Sequence, residues 1–127
     1  MPGFLLYPGT DYVVASRLPD YAPVGNPSAP AKPGDTLALW GTGFGPTNPP
    51  ISFGRIVNGA PAATTPTTVI IGVMQVPVIG TVLTAGSVGL YQITVQLPAN
   101  MPAGAAVVQA SVGGPQTPAG VVIYVGQ

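Results

Sequence analysis

Glycine and proline interrupt this chain too often for a long helix to form. There are 18 glycines and 17 prolines among 127 residues. A helix prediction needs about 10–12 periodic residues, whereas runs free of both residues are around eight long. Thr and Val are frequent in these runs, and their branched side chains favour strands over helices. The sequence therefore predicts an all-β fold whose turns contain most of the glycine and proline.

The clearest strand signal lies at residues 90–97. Here apolar and polar side chains alternate, which is the pattern of an antiparallel strand with one buried face. The apolar face carries Tyr91, Ile93, Val95 and Leu97, and the polar face carries Gln92, Thr94 and Gln96. Burial of the apolar face makes this strand a predicted part of the core.

Further strands are predicted at 36–40, 67–73, 76–83, 106–112 and 120–125. Leu37 and Leu39 share a face in the first of them. Three strands follow similar turn signals, Pro33-Gly34, Pro102-Ala103-Gly104 and Pro118-Ala119-Gly120. Proline fixes φ near −65° and glycine accepts positive φ, so each signal indicates a turn. Six or seven short strands separated by turns predict an immunoglobulin-like β-sandwich.

The first 30 residues have a different pattern. Two stretches could form strands, and prolines then recur at every third or fourth position, which favours extended chain. We therefore predict an extended N-terminal arm and linker at 1–30, followed by the sandwich domain at 31–127. The candidate assembly residues of the arm are Phe4, Leu5, Leu6, Tyr7, Tyr12, Val13 and Val14.

The glycine-rich stretch from Trp40 to Pro46 does not match a phosphate-binding loop. It lacks the Gly-Lys-Ser/Thr ending, and no helix pattern follows it. Glycines placed between aromatic residues in a strand more often mark a bulge, or a point where another backbone approaches closely. We predict a structural role for this stretch.

Reactive side chains are scarce in this sequence. Charged residues make up 5% of the chain, against roughly 25% in an average domain. The chain has no His, Cys or Glu, so zinc ligation, disulfides and thiol or imidazole catalysis are excluded. Asp11, Asp20 and Asp35 form no paired or clustered motif, and Asp35 is predicted to cap its own turn. We predict no enzymatic activity, no metal or cofactor, and no nucleic-acid partner, since basic residues are few.

The ends and apolar runs of the chain show no targeting signal. The N-terminal residues lack a basic start, and their apolar run ends at Pro8, so no secretory signal is visible. Apolar stretches stop at about eight residues, so no transmembrane helix is predicted.

Several longer motifs resemble a known family. They lie at 31–50, 67–72, 89–104 and 107–114, and together the likeness covers about residues 11–125. They are similar to the uncharacterised C-terminal domain of many large secreted proteins of acidobacteria and related soil bacteria. The resemblance implies a variant of the immunoglobulin-like TIG fold, an extracellular or cell-surface location, and no catalysis.

Two hypotheses about function follow. In the first, the chain is a structural module that contacts copies of itself or neighbouring domains. With few charges to protect its sheet edges, it could form filaments by adding its arm to a neighbour's sheet, although the arm could instead fold back on its own sandwich. In the second, it is an adhesive or carbohydrate-binding module. The candidate glycan or interface aromatics are then Trp40, Phe53 and Tyr124.

Overall fold

The chain is a β-sandwich. The computed structural model describes residues 3–18, 21–44, 47–48, 62–63, 67–83, 90–112, 116–117 and 120–126. Within these ranges there are twelve strands: β1 (Gly3–Phe4), β2 (Ala15–Arg17), β3 (Ala22–Val24), β4 (Thr36–Thr42), β5 (Thr47–Asn48), β6 (Ala62–Ala63), β7 (Thr67–Ile71), β8 (Met74–Val76), β9 (Val78–Leu83), β10 (Tyr91–Gln96), β11 (Gly104–Val112) and β12 (Val122–Val125). Six of them have four or more residues, and these are the predicted core strands.

The strands form two antiparallel sheets. In the larger sheet the order is β3-β2-β4-β10-β9-β6-β5, and β1 also pairs with β4. In the smaller sheet the order is β12-β11-β7-β8. One predicted strand, 76–83, is divided between the sheets: β8 lies in the smaller sheet, Pro77 interrupts the chain, and β9 lies in the larger sheet. Proline cannot donate a ladder hydrogen bond, which explains the break.

The core lies between the sheets and follows the predicted alternation. Tyr91, Ile93, Val95 and Leu97 are all buried, as are Leu37 and Leu39 on the neighbouring strand β4. In the smaller sheet, the buried positions of β11 are Val108, Ala110 and Val112. These side chains form one continuous apolar cluster. The predicted turn glycines Gly34, Gly104 and Gly120 all have positive φ, at 86°, 114° and 93°.

The glycine-rich stretch predicted a point where another backbone approaches closely. Gly41 is such a point, because the backbone of β1 packs against it. β1 pairs with β4 by placing Gly3 opposite Thr42 and Phe4 opposite Gly41. A Cβ atom at Gly41 would collide with the carbonyl oxygen of Gly3, and would lie 2.7 Å from Cε2 of Phe44. Phe44 is fully buried, with its ring centroid 5.6 Å from that of Phe4. The position therefore requires glycine for the first strand to dock.

The N-terminal segment is part of the sandwich in this chain, which corrects the expectation of a separate arm and linker at 1–30. β2 pairs with both β3 and β4. Val13 and Ala15 have no accessible surface. The backbone N–H of Val13 donates to the carbonyl of Val122, and the N–H of Ala31 donates to that of Tyr124. Residues on both sides of position 30 therefore share one core with the rest of the chain.

Proline and short strands protect the described sheet edges, rather than charged side chains. The edge strand β3 has Pro23 at its centre, and the edge strand β8 has three residues and is followed by Pro77. The free side of β12 is covered by parallel bridges from Tyr12 to Val122 and from Ala31 to Val125. Proline and very short strands are two established ways to prevent edge-to-edge pairing. The scarcity of charge therefore does not leave these edges open.

Tyr91 makes the stability of the fold sensitive to alkaline pH. Burial raises the pKa of Tyr91 above its ordinary value of 10.0. In the unfolded chain the phenol ionises near pH 10, while the folded state keeps it neutral to higher pH. This contribution to stability is therefore complete below pH 10 and is lost as pH rises through the folded-state pKa.

We expect the urea midpoint to be steady up to about pH 9.5 and to fall above pH 10. For each protein, the urea midpoint above pH 10 is compared with the midpoint of the same protein at neutral pH. We expect this decrease to be smaller in Tyr91→Phe than in the native chain. Tyr124→Phe is the control, because Tyr124 is only partly buried. Equal alkaline losses in all three proteins would contradict the assignment to Tyr91.

Candidate interaction surfaces

The candidate assembly residues of the N-terminal segment are distributed between the core and the surface. Phe4 packs on the core, and Val13 is fully buried. Leu5 and Leu6 are each 40% exposed. The hydroxyl of Tyr7 lies 2.9 Å from the carbonyl oxygen of Ala15 and 3.1 Å from that of Val24.

Two further backbone hydrogen bonds hold this segment against β4. The N–H of Leu5 donates to the carbonyl of Trp40, and the N–H of Trp40 donates to the carbonyl of Val14. Leu6 forms an isolated bridge with Val13, and Tyr12 forms the bridge to Val122, so all seven candidate residues are engaged within their own chain.

The candidate aromatic residues are not brought together. Trp40 lies on the outer face of the larger sheet, because its neighbours Leu39 and Gly41 are buried on the inner face. Tyr124 lies on the outer face of the smaller sheet, opposite Ala105 of β11. Phe53 lies outside the described residues. Trp40 and Tyr124 therefore belong to separate surfaces.

The first surface is an apolar patch at one end of the smaller sheet. β7 and β8 are joined by a two-residue turn, Gly72-Val73, in which Gly72 has φ of +65°. A glycine at the first position of such a turn is typical of type II′ hairpins. Val73 at the tip is 97% exposed, and Ile70 and Val107 on the adjoining outer face are 43% and 50% exposed. We call these three residues and the groove beside them the hairpin patch.

The groove of the hairpin patch lies between the β7–β8 hairpin and the start of β11. Its volume is about 410 Å³, and its lining includes Met74, Met101, Pro102 and Ala106; none of the described residues that line it is charged. Methionine is flexible and polarizable, and it is common on surfaces that accept varied partners. Beyond the end of β7, no described residue forms a ladder pair with the backbone of Ala105 on this side of β11. The groove therefore combines apolar walls with a short stretch of unpaired strand edge.

The second surface is an aromatic and polar cluster on the outer face of the larger sheet. The ring centroids of Trp40 and Tyr21 are 6.4 Å apart, with 43° between the planes. The side-chain amide nitrogen of Gln92 lies 3.4 Å from the hydroxyl of Tyr21 and 3.3 Å from Oγ1 of Thr94. The indole N–H of Trp40 donates to Oγ of Ser16 at 3.3 Å. We call these five residues the Trp40 cluster. Sequence reasoning had noted Trp40 as a candidate, but not the polar residues Ser16, Gln92 and Thr94.

Two of the charged side chains that the structure describes pair with each other, and neither belongs to the Trp40 cluster. Arg17 and Asp35 form an ion pair, with Nε and Oδ2 3.0 Å apart. The same carboxylate oxygen accepts the backbone N–H of Lys32 at 2.9 Å, so Asp35 caps its own turn as predicted. Among the described residues, no group of His, Cys, Asp or Glu could hold a metal ion.

Comparison with known proteins supplies no relative for this chain. No protein family, curated protein or solved structure matches it. Within the described part of the chain, no helix has the length and apolarity needed to cross a membrane.

Proposed function

We propose that this chain is a non-enzymatic, extracellular structural module that works through protein–protein contacts, and that the hairpin patch is where it contacts another copy of itself. The observation that carries the proposal is the exposure of Val73. A β-branched apolar side chain that is 97% exposed at a hairpin tip gains nothing from its own fold. Burial against a partner would contribute about 1.5–3 kcal/mol for this side chain alone.

The shape of the hairpin patch suits contact between copies. An exposed knob, Val73, lies directly beside an apolar groove of about 410 Å³. A knob beside a hole allows two copies to insert into each other in a closed dimer, and a head-to-tail version of the contact would extend into a filament. The formal net charge of the chain is zero, so no overall repulsion opposes association.

Strand addition by the N-terminal segment requires more rearrangement than docking at the groove. To leave its own chain, the segment must give up the burial of Val13 and the packing of Phe4 on Phe44. It must also break the backbone hydrogen bonds to Trp40 and Val122. The groove needs no such opening, which is why we place the contact there.

The test is light scattering with negative-stain microscopy of the purified protein over a wide concentration range. We expect dimers or filaments for the native chain, and at least about tenfold weaker association for Val73→Asp, since tenfold corresponds to about 1.4 kcal/mol. Ile79→Asp is the matched control, because Ile79 is 62% exposed but lies on β9 of the other sheet. A native protein that stays monomeric at high concentration would remove the proposal.

A further inference from the structure

Tyr21 adopts a backbone conformation that side chains rarely take. Its φ is +58°, and it is the one non-glycine residue with positive φ among those that the structure describes. For a bulky residue this conformation is strained, and such outliers concentrate at functional sites. Tyr21 is also 49% exposed, so burial of its ring does not recover the full cost. This turn residue therefore holds its ring at the surface against Trp40, where solvent can reach it.

The polar groups around the two rings are only weakly satisfied. The amide nitrogen of Gln92 approaches both of its acceptors at 3.3–3.4 Å, beyond the usual 2.7–3.2 Å for N–H···O bonds. No described residue donates to the amide oxygen of Gln92. The hydroxyls of Tyr21 and Ser16 serve as acceptors within the cluster, so their own hydrogens are free to donate. A ligand could use these groups without breaking any strong bond of the protein.

The arrangement of the cluster suits an elongated, neutral ligand. Ser16, Trp40 and Gln92 lie on three adjacent strands, β2, β4 and β10. Strands are spaced by about 4.8 Å, so the row extends about 10 Å across the sheet. The polar side-chain atoms described here are all amides, hydroxyls or an indole N–H. Ionic recognition therefore does not explain the cluster.

We infer that the Trp40 cluster is a binding site for a neutral oligosaccharide. The C–H faces of sugar rings pack on aromatic side chains, and their hydroxyls exchange hydrogen bonds with amides and hydroxyls. Trp40 and Tyr21 supply the aromatic faces, and Gln92 supplies both a donor and an acceptor beside them. This site is on the opposite sheet from the hairpin patch, so the inference does not depend on the proposed contact between copies.

Trp40 provides the measurement, because it is the single tryptophan of the chain. Its fluorescence is titrated with cellohexaose, xylohexaose, maltohexaose and chitohexaose, and affinity electrophoresis with the matching neutral polysaccharides gives an independent readout. We expect at least one of these probes to shift the emission of the native protein and retard its migration.

The decisive variant is Tyr21→Asn. Asparagine tolerates positive φ, so this change keeps the backbone while removing the ring. We expect at least tenfold weaker binding in Tyr21→Asn and in Gln92→Ala, and no change in Tyr124→Ala on the other sheet. The inference is overturned if no probe binds, or if Tyr21→Asn binds as tightly as the native chain. It is also overturned if Tyr21→Asn instead weakens self-association without affecting saccharide binding, since the cluster would then be a protein contact.

Discussion

Replacing Ile93 with aspartate is expected to abolish folding. Ile93 is fully buried at the centre of β10, between Leu39 of β4 and Thr81 of β9. A carboxylate at this position would have to be buried without a charge partner, or protonated at a large cost. Because small domains are stable by only about 5–15 kcal/mol, a penalty of several kcal/mol leaves few molecules folded.

Circular dichroism and urea titration will measure this effect. The matched control is Thr94→Asp, since Thr94 is the next residue of the same strand and faces outward. We expect Thr94→Asp to retain a cooperative transition, and Ile93→Ala to lose about 2–5 kcal/mol while still folding. A folded Ile93→Asp protein would show that β10 does not face the core.

Deletion of residues 1–18 is expected to unfold or aggregate the protein at neutral pH. The deletion removes Val13 and Ala15 from the core and exposes one side of β4 and of β12. It also leaves Asp35 without the guanidinium of Arg17. Two uncovered strand edges make intermolecular pairing favourable, so the lost stability should be accompanied by aggregation.

Gly41→Ala provides a graded comparison for the deletion. Its methyl group collides with the carbonyl of Gly3, so it should displace β1 while leaving β2 in place. We expect the free energy of unfolding to fall by roughly 1–3 kcal/mol because of overpacking. We also expect faster hydrogen exchange at the amide of Leu5, which donates to Trp40.

If the chain without residues 1–18 keeps the melting temperature of the full chain, then the N-terminal segment does not belong to this core.

Features set by neighbours in the sequence could be predicted, and those set by distant contacts could not. The alternation at 91–97 identified the buried face of β10, and the glycines of the three predicted turns, Gly34, Gly104 and Gly120, have positive φ. The single strand predicted at 76–83 was wrong, although Pro77 within it marks the break between β8 and β9. By contrast, the proline-rich stretch was read as a linker, because its folding depends on contacts with β4 and β12.

The two interaction surfaces show the same limit. The pairing of Tyr21 with Gln92 joins residues 71 positions apart, and no local pattern marks it. Likewise, the exposure of Val73 follows from the two-residue turn between β7 and β8, whereas the sequence predicted a strand that continued to residue 73. The small number of charges also suggested that the sheet edges are unprotected. This inference did not consider proline, which prevents edge-to-edge pairing without charge.

Because residues 11–13 pair with β12 while β1 and β2 pair with β4, the segment 3–17 joins the two sheets to each other. Such long-range closure slows folding, since most of the chain must be organised before these contacts form. A ribosome-bound polypeptide that still lacks residues 121–126 would hold residues 11–13 without their partner on β12, although β1 and β2 could already pair with β4. Maturation of this domain should therefore be a late event, completed only after the last strand has emerged.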